Sequence, residues 1–243
     1  MNRLGTAERA SIVSALVEGH SLRATAHMTG AARMTVERLL RDTGDACRRM
    51  HDERARGLKS RRVRCVDIWS FGAARTRAAT SGISGKRPGA DEAWTWTAID
   101  ADSRLMLWWM IGNRDAPTAH QFLTGVSARL ANRVRLMSDG LAVQLQALDG
   151  ASADDIDYAA LTSLYGGGRD GRHSPPRPRS AGRVSTRSRA EGKVEMHAHA
   201  VALHAAHYNF CKIHQALRVT PAMEAGLSNH VWSLEEVVML LEA

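Results

Sequence analysis

The chain has 243 residues, of which 44% are hydrophobic and 24% charged, with three cysteines and a formal net charge of +8. That length suits one full core with a small appendage, and the composition excludes a disordered or fibrous protein. No apolar run is long enough to span a membrane, the first residues lack the apolar segment of a secretory signal, and three cysteines make no disulfide framework, so a reducing cytoplasm is expected.

The charge is unevenly placed. Residues 1–64 hold twice as many Lys and Arg as Asp and Glu, residues 65–166 are mildly acidic, 167–193 strongly basic and 194–243 acidic again. A polyanion can sit on the first segment while the middle supplies carboxylates.

In chain order, Thr6 is placed to cap a first helix carrying Ile12, Val13, Leu16 and Val17, with Gly19 as its stop. Arg9 at the third helical position leaves no capping box. Ser21 caps a second helix with Leu22, Ala26 and Met28, Gly30 allows a tight turn, and a third helix carries Val36, Leu39 and Leu40 to a natural end at Gly44. Three short helices with a glycine turn before the third predict a helix-turn-helix. In that motif the third helix enters the major groove. Arg33, Thr35 and Arg38 are then the candidates for base-edge or phosphate contact, with Arg23 and Arg41 for phosphates. The competing reading of these residues is a three-helix bundle with a solvated basic face. The Arg-rich stretch that follows reads as a helix and basic connector. Cys47, His51 and Cys65 lack the paired spacing and fourth ligand of a zinc site, so buried thiols and a surface histidine are expected.

From Val63 the pattern turns to strands: 63–71, then 94–100 and 104–112 joined by a turn at Asp100–Ser103, a helix over 115–131 and a strand over 134–140. Residues 80–91 read as a mobile loop. These elements predict an α/β sheet of mixed strand direction, with Trp94 and Trp96 on one face as core. Asp67 falls in an apolar strand and Asp139 at a strand end before Gly140. Two such carboxylates brought together invite Mg²⁺, which takes oxygen ligands and suits phosphoryl transfer. The alternative is that Asp67 caps or pairs with an arginine and Asp139 starts a turn.

Toward the C-terminus, 193–214 reads as one long helix or one broken near Tyr208, with His204, His207 and Cys211 on one face for packing. Pro221 stands at a helix start. Over 232–243 a short amphipathic helix is capped by Ser233 with Glu236 in the boxed position, to pack on the core or on a second subunit.

The strings SLRATAHMTGAARMTVERLL (21–40), CVDIWSF (65–71), DEAWTWTAIDADSRLM (91–106), RLANRVRLMSDG (129–140), DIDYAALTSLYG (155–166) and HAHAVALHAAHYNFCKIHQALRVTPAMEAGL (197–227) resemble, in order, the insertion-sequence-one family of transposases. The resemblance implies a ribonuclease-H-like mixed sheet behind an N-terminal all-α helix-turn-helix domain. The implied division is a DNA-binding domain over 1–45, a basic connector over 46–62, the catalytic core over 63–165, a disordered Arg/Pro/Gly-rich segment over 166–192 and C-terminal helices over 193–243. It implies DNA cleavage and strand transfer on Mg²⁺ or Mn²⁺, with the second family aspartate at Asp139, the first aligned with Val66, and Asp67 beside it as the other candidate catalytic and metal-holding carboxylate. Its implied partners are double-stranded DNA bearing terminal inverted repeats and further copies of the chain, without a membrane, in a bacterial cytoplasm at the nucleoid.

Two departures from the family pattern bear on catalysis. The family carries Asp-Glu before an aliphatic residue and Trp, whereas this chain has Val66-Asp67-Ile68-Trp69. Asp67 therefore stands one step late, on the opposite strand face unless a bulge re-aims it. The family's glutamate has no counterpart in 166–192, although Glu191 and Glu195 lie near. The second functional expectation is thus a catalytically inactive, sequence-specific DNA-binding protein or regulator derived from a transposase. A third is an unrelated transcriptional regulator.

Overall fold

The computed structural model describes residues 4–72, 92–138, 156–160 and 190–242. The expected loop at 80–91 and most of the Arg/Pro/Gly-rich segment lie outside those residues, as does Asp139.

The sheet grows outward from β1 (Arg62–Gly72), in which Val63 and Cys65 are buried while Arg62 and Arg64 are exposed, the period of two that strand geometry dictates. β2 (Glu92–Asp100) runs antiparallel to β1, and β3 (Met106–Gly112) antiparallel to β2. β4 (Val134–Ser138) lies parallel to β1 on its other side, followed by β5 (Ile156–Ala160), parallel to β4. The order β3-β2-β1-β4-β5, with a meander followed by parallel strands, is a ribonuclease-H-like sheet. The turn between β2 and β3 is held by Asp100, whose carboxylate accepts from Ser60 Oγ at 2.9 Å and Ser103 Oγ at 2.6 Å.

One face is covered by α4 (Ala116–Ser127), started by Asp115 accepting from the Thr118 N–H at 2.9 Å. Phe122 of α4 meets Trp96 at 5.7 Å between ring centroids, and Gly125 admits Trp108 so closely that a Cβ there would lie 2.4 Å from the indole nitrogen. The helix stops short of the expected residue 131, because 128–133 turn back to feed β4.

The opposite face receives helices from both ends of the chain. α1 (Thr6–Val17), α2 (Leu22–Thr29) and α3 (Arg33–Arg54) form the head, and α5 (Ala190–Ala206) continues into a π-helical turn at His207–Cys211, α6 (Pro221–Glu224) and α7 (Leu234–Met239). Ser21 Oγ caps α2 by accepting from the Ala24 N–H, and Gly30 closes it at φ 69°, a left-handed conformation that glycine takes without a Cβ penalty. Val36 and Leu40 are buried in the head; burial of such side chains contributes about 1.5–3 kcal/mol each. The cap of α1 is Gly5 rather than Thr6, with Glu8 reaching back to accept from the Gly5 N–H at 2.8 Å.

α3 does not end at Gly44. It continues to Arg54, so the expected boundary at residue 45 falls inside one helix. Gly44 is a crossing point: a Cβ there would come within 2.7 Å of the backbone of His199 on α5. The second half of α3 reaches the sheet, where His51 is buried, bonds the Leu107 carbonyl oxygen through Nε2 at 2.9 Å and tilts against Trp109 at 4.6 Å. The expected surface histidine is thus a core group, and burial lowers its pKa to about 4. Burial likewise pushes the thiols of Cys47 and Cys211 up to about 12, which leaves them inert packing groups.

The C-terminal helices bind the two layers together. Asn209, in the π-helical turn, is fully buried and pairs both its amide atoms with one strand residue: Oδ1 accepts from the Met106 N–H at 2.9 Å and Nδ2 donates to the Met106 carbonyl at 3.0 Å. Ser233 caps α7 with Glu236 completing the box, as expected, and Thr220 caps α6 ahead of Pro221. α7 docks on α1, where Arg9 and Glu242 form an ion pair at 3.3 Å.

Candidate nucleic-acid interface and the carboxylates of the sheet

The turn between α2 and α3 is three residues long, Gly30–Ala32, and the Thr35 and Val36 N–H groups both bond the Ala32 carbonyl to start α3. This presents Arg33 and Arg38 in the exposed first turns of α3, and Arg23 is exposed on α2. Thr35, Arg38 and Arg41 line one hollow of about 1300 Å³ along α3, together with Arg9 and Arg49. Arg23 and Arg33 lie outside it. Arg41 is also drawn toward α5, within 3.9 Å of both Glu37 and Glu195. Arg49 went unpredicted because it follows Gly44; once α3 is continuous, 38, 41, 45 and 49 recur at helical spacing and Arg49 falls in phase with Arg38 and Arg41. Asp42 and Asp45 share the hollow, so its charge is mixed rather than uniformly basic.

Asp67 takes its orientation from β1. It pairs in register with Trp96, whose ring meets Phe122, so its side chain lies on the α4 face. There the carboxylate is 2% exposed and Oδ2 accepts from Arg114 Nε at 2.7 Å. Arg114 is in turn stacked over Trp94, its guanidinium carbon 4.5 Å from the ring centroid. Position 66 faces the other way. Val66 pairs with Thr97 and Thr97 with Trp109, which packs on Ala202 and Ala205 of α5. The register from Val63 to Trp69 is unbroken, and the bulge lies between Trp69 and Phe71, beyond Asp67. β4 ends at Ser138, opposite Cys65, and Asp139 follows it outside the described residues.

Divalent-metal chemistry needs several oxygen ligands converging. Among the described residues no group of three His, Cys, Asp or Glu side chains is placed to hold a metal ion, and the Asp67 carboxylate is engaged by a guanidinium. The described residues therefore do not fit Mg²⁺ or Mn²⁺. Glu195 does not approach Asp67: it lies within ion-pair distance of Arg41 and His199 on the helical side. No described helix is long and apolar enough to cross a membrane.

No family model and no curated protein matches the chain. Solved structures similar to it include two transposase complexes. The crystal structure of the Mos1 mariner paired end complex with Mn is 10% identical over 65% of this chain and 59% of that one, with a TM-score of 0.26. The Mos1 transposase paired-end complex with left transposon end is 11% identical over 66% and 60%, with a TM-score of 0.25. The likeness thus spans three fifths of those chains, at an overlap too loose to place any residue.

Proposed function

We propose that this chain is a DNA-binding protein of transposase descent, which holds a duplex through α2 and α3 without performing strand transfer. The observation that carries the reading is the head itself: a Ser21-capped α2, a three-residue turn through left-handed Gly30, and Arg33 and Arg38 exposed at the start of α3. A helix entering the major groove by its N-terminal turns needs that arrangement. The order of family-like strings and the ribonuclease-H-like sheet support the descent.

The enzymatic reading keeps Asp67 and Asp139 as carboxylates for Mg²⁺ or Mn²⁺. Against it stand the ion pair of Asp67 with Arg114, the unbroken register that aims Asp67 at α4, and an apolar residue at position 66. Removing metal ligands costs a two-metal enzyme its nucleophile activation and leaving-group stabilisation together.

The test is a mobility shift with a terminal-inverted-repeat duplex in EDTA, beside a cleavage assay in Mg²⁺ and Mn²⁺. Metal-independent retardation, weakened in an Arg33→Ala/Arg38→Ala variant, is expected. Efficient cleavage that disappears in Asp139→Ala would restore the enzyme.

A further inference from the structure

Met34 is 73% exposed, more than any other large apolar side chain among the described residues. It is the second residue of α3, one step after Arg33. Side chains four apart share a helix face, so Met34 heads a stripe that continues to Arg38, and both line the hollow along α3. A single apolar residue on a surface is ordinary and by itself signifies nothing. Its place carries the weight. The turn before it, Gly30–Ala32, bears no side chain larger than a methyl group, and a Cβ added at Gly30 would meet nothing within 4 Å. Gly30 and Ala32 are themselves exposed, so the thioether stands at the front of a lean edge.

A helix that enters the major groove by its N-terminal turns brings its first side chains to the base edges. Arg38 follows Met34 by about 6 Å along the axis, at about 1.5 Å per residue. In a groove about 8.5 Å deep, that step sets Met34 at the floor and Arg38 toward the phosphate rim. Glu37, Asp42 and Asp45 share the hollow, so cations alone do not account for discrimination there. The groove floor presents donors, acceptors and one apolar group, the C5-methyl of thymine. A thioether has no donor and only a weak acceptor, so that methyl is the feature it can cover without leaving a hydrogen bond unmade.

We propose that Met34 is a specificity-determining residue of the head, its thioether packing against the C5-methyl of a thymine in the bound duplex. The proposal rests on the reading of the head as a DNA-binding element and adds the class of base that its site prefers. Met28, expected to pack within α2, is instead 60% exposed. It lies outside the hollow, on the helix that crosses the backbone in this motif, and takes no such role.

The test begins with selection of sites from a duplex library of randomised interior by the full chain and by its Met34→Ala and Met28→Ala variants. Neither methionine belongs to the core and alanine favours a helix, so both variants stay folded. Wild type and Met28→Ala are expected to select a thymine at a position where Met34→Ala shows no preference. Fluorescence anisotropy then compares the selected duplex with one carrying uracil in place of that thymine. Loss of the methyl weakens wild-type binding about fourfold, the worth of one buried methyl. Met34→Ala, already weaker by a similar factor, is indifferent to the change. A uracil penalty as large in Met34→Ala as in wild type overturns the proposal, as does a thymine preference that is absent from wild type or lost equally in Met28→Ala. So does a wild-type dimer in sedimentation that Met34→Ala converts to a monomer, which gives the side chain to a second copy. Failure of the head itself shows differently: wild type then enriches no sequence and binds every duplex as Arg33→Ala/Arg38→Ala does, and both readings fall together.

Discussion

The carboxylate of Asp67 and the guanidinium of Arg114 meet at 2.7 Å beneath the tryptophan-lined face that α4 covers. The carboxylate is 2% exposed and the arginine 42%, so the pair is buried at its acidic end only. Truncating the arginine leaves the costlier group behind, a buried charge deprived of its cation. Arg114→Ala is therefore expected to destabilise the chain by about 1–3 kcal/mol, at the lower end because solvent reaches the guanidinium. Asp67→Asn, which removes the buried charge and keeps the shape, should cost less. Urea denaturation of both variants decides it, and a larger loss for Asp67→Asn refutes the ordering. DNA retardation by either folded variant should equal that of the wild type.

Gly44→Ala reverses the usual sign of a helical glycine substitution. In an exposed helix interior, alanine is favoured over glycine by about 0.8–1.0 kcal/mol. Here a Cβ would lie 2.7 Å from the backbone of His199, which cannot rotate away, so α3 and α5 must separate. A net destabilisation of about 1–3 kcal/mol is expected, the range for overpacking. A midpoint of denaturation at or above the wild-type value would show that the crossing tolerates a methyl.

Where structure depends on neighbours in sequence, the chain was legible. Ser21, Gly30, Pro221 and the Ser233–Glu236 box all act within four residues of themselves, and each stands where its chemistry requires. Alternation along β1 likewise sets Asp67 and Val66 on opposite faces, as the sequence pattern requires. What could not be read depends on distant chain. A glycine that ends a helix and one that admits a crossing helix look alike locally, so Gly44 hid both the length of α3 and the place of Arg49. His51 owes its burial to Leu107, 56 residues away, and Asp67 owes its partner to a residue 47 away.

Asn209 joins the helical layer to the sheet through a pair of hydrogen bonds to Met106, in a turn where the wider π-helical winding sets the amide against the start of β3. Asn209→Ala strips partners from a backbone N–H and a carbonyl together, each loss costing about 1–3 kcal/mol where the group stays dry. Asn209→Asp keeps the acceptor but turns a charged oxygen toward the Met106 carbonyl, and is expected to be worse still. Thermal melts should rank wild type above Asn209→Ala above Asn209→Asp; an aspartate variant as stable as wild type would mean that this junction does not hold the layers.

His51 makes the fold sensitive to mild acid. Burial lowers its pKa from 6.5 to about 4, a displacement deepened by Arg129 and partly opposed by the Leu107 carbonyl and Asp52. The folded state therefore keeps the imidazole neutral while the unfolded chain takes up a proton below pH 6.5. Between those two pKa values the unfolded state binds more protons, so stability rises with pH and falls as the solution is acidified. From neutrality to about pH 5 the loss is about 2 kcal/mol, since one pKa unit corresponds to about 1.4 kcal/mol. His51→Leu gives up the bond to Leu107 and starts less stable, but has no proton to bind at this position. Urea denaturation at the two pH values should show the wild type losing about 2 kcal/mol more than His51→Leu over the interval. Equal losses would mean that other groups carry the acid sensitivity and that His51 is protonated as readily in the fold as outside it.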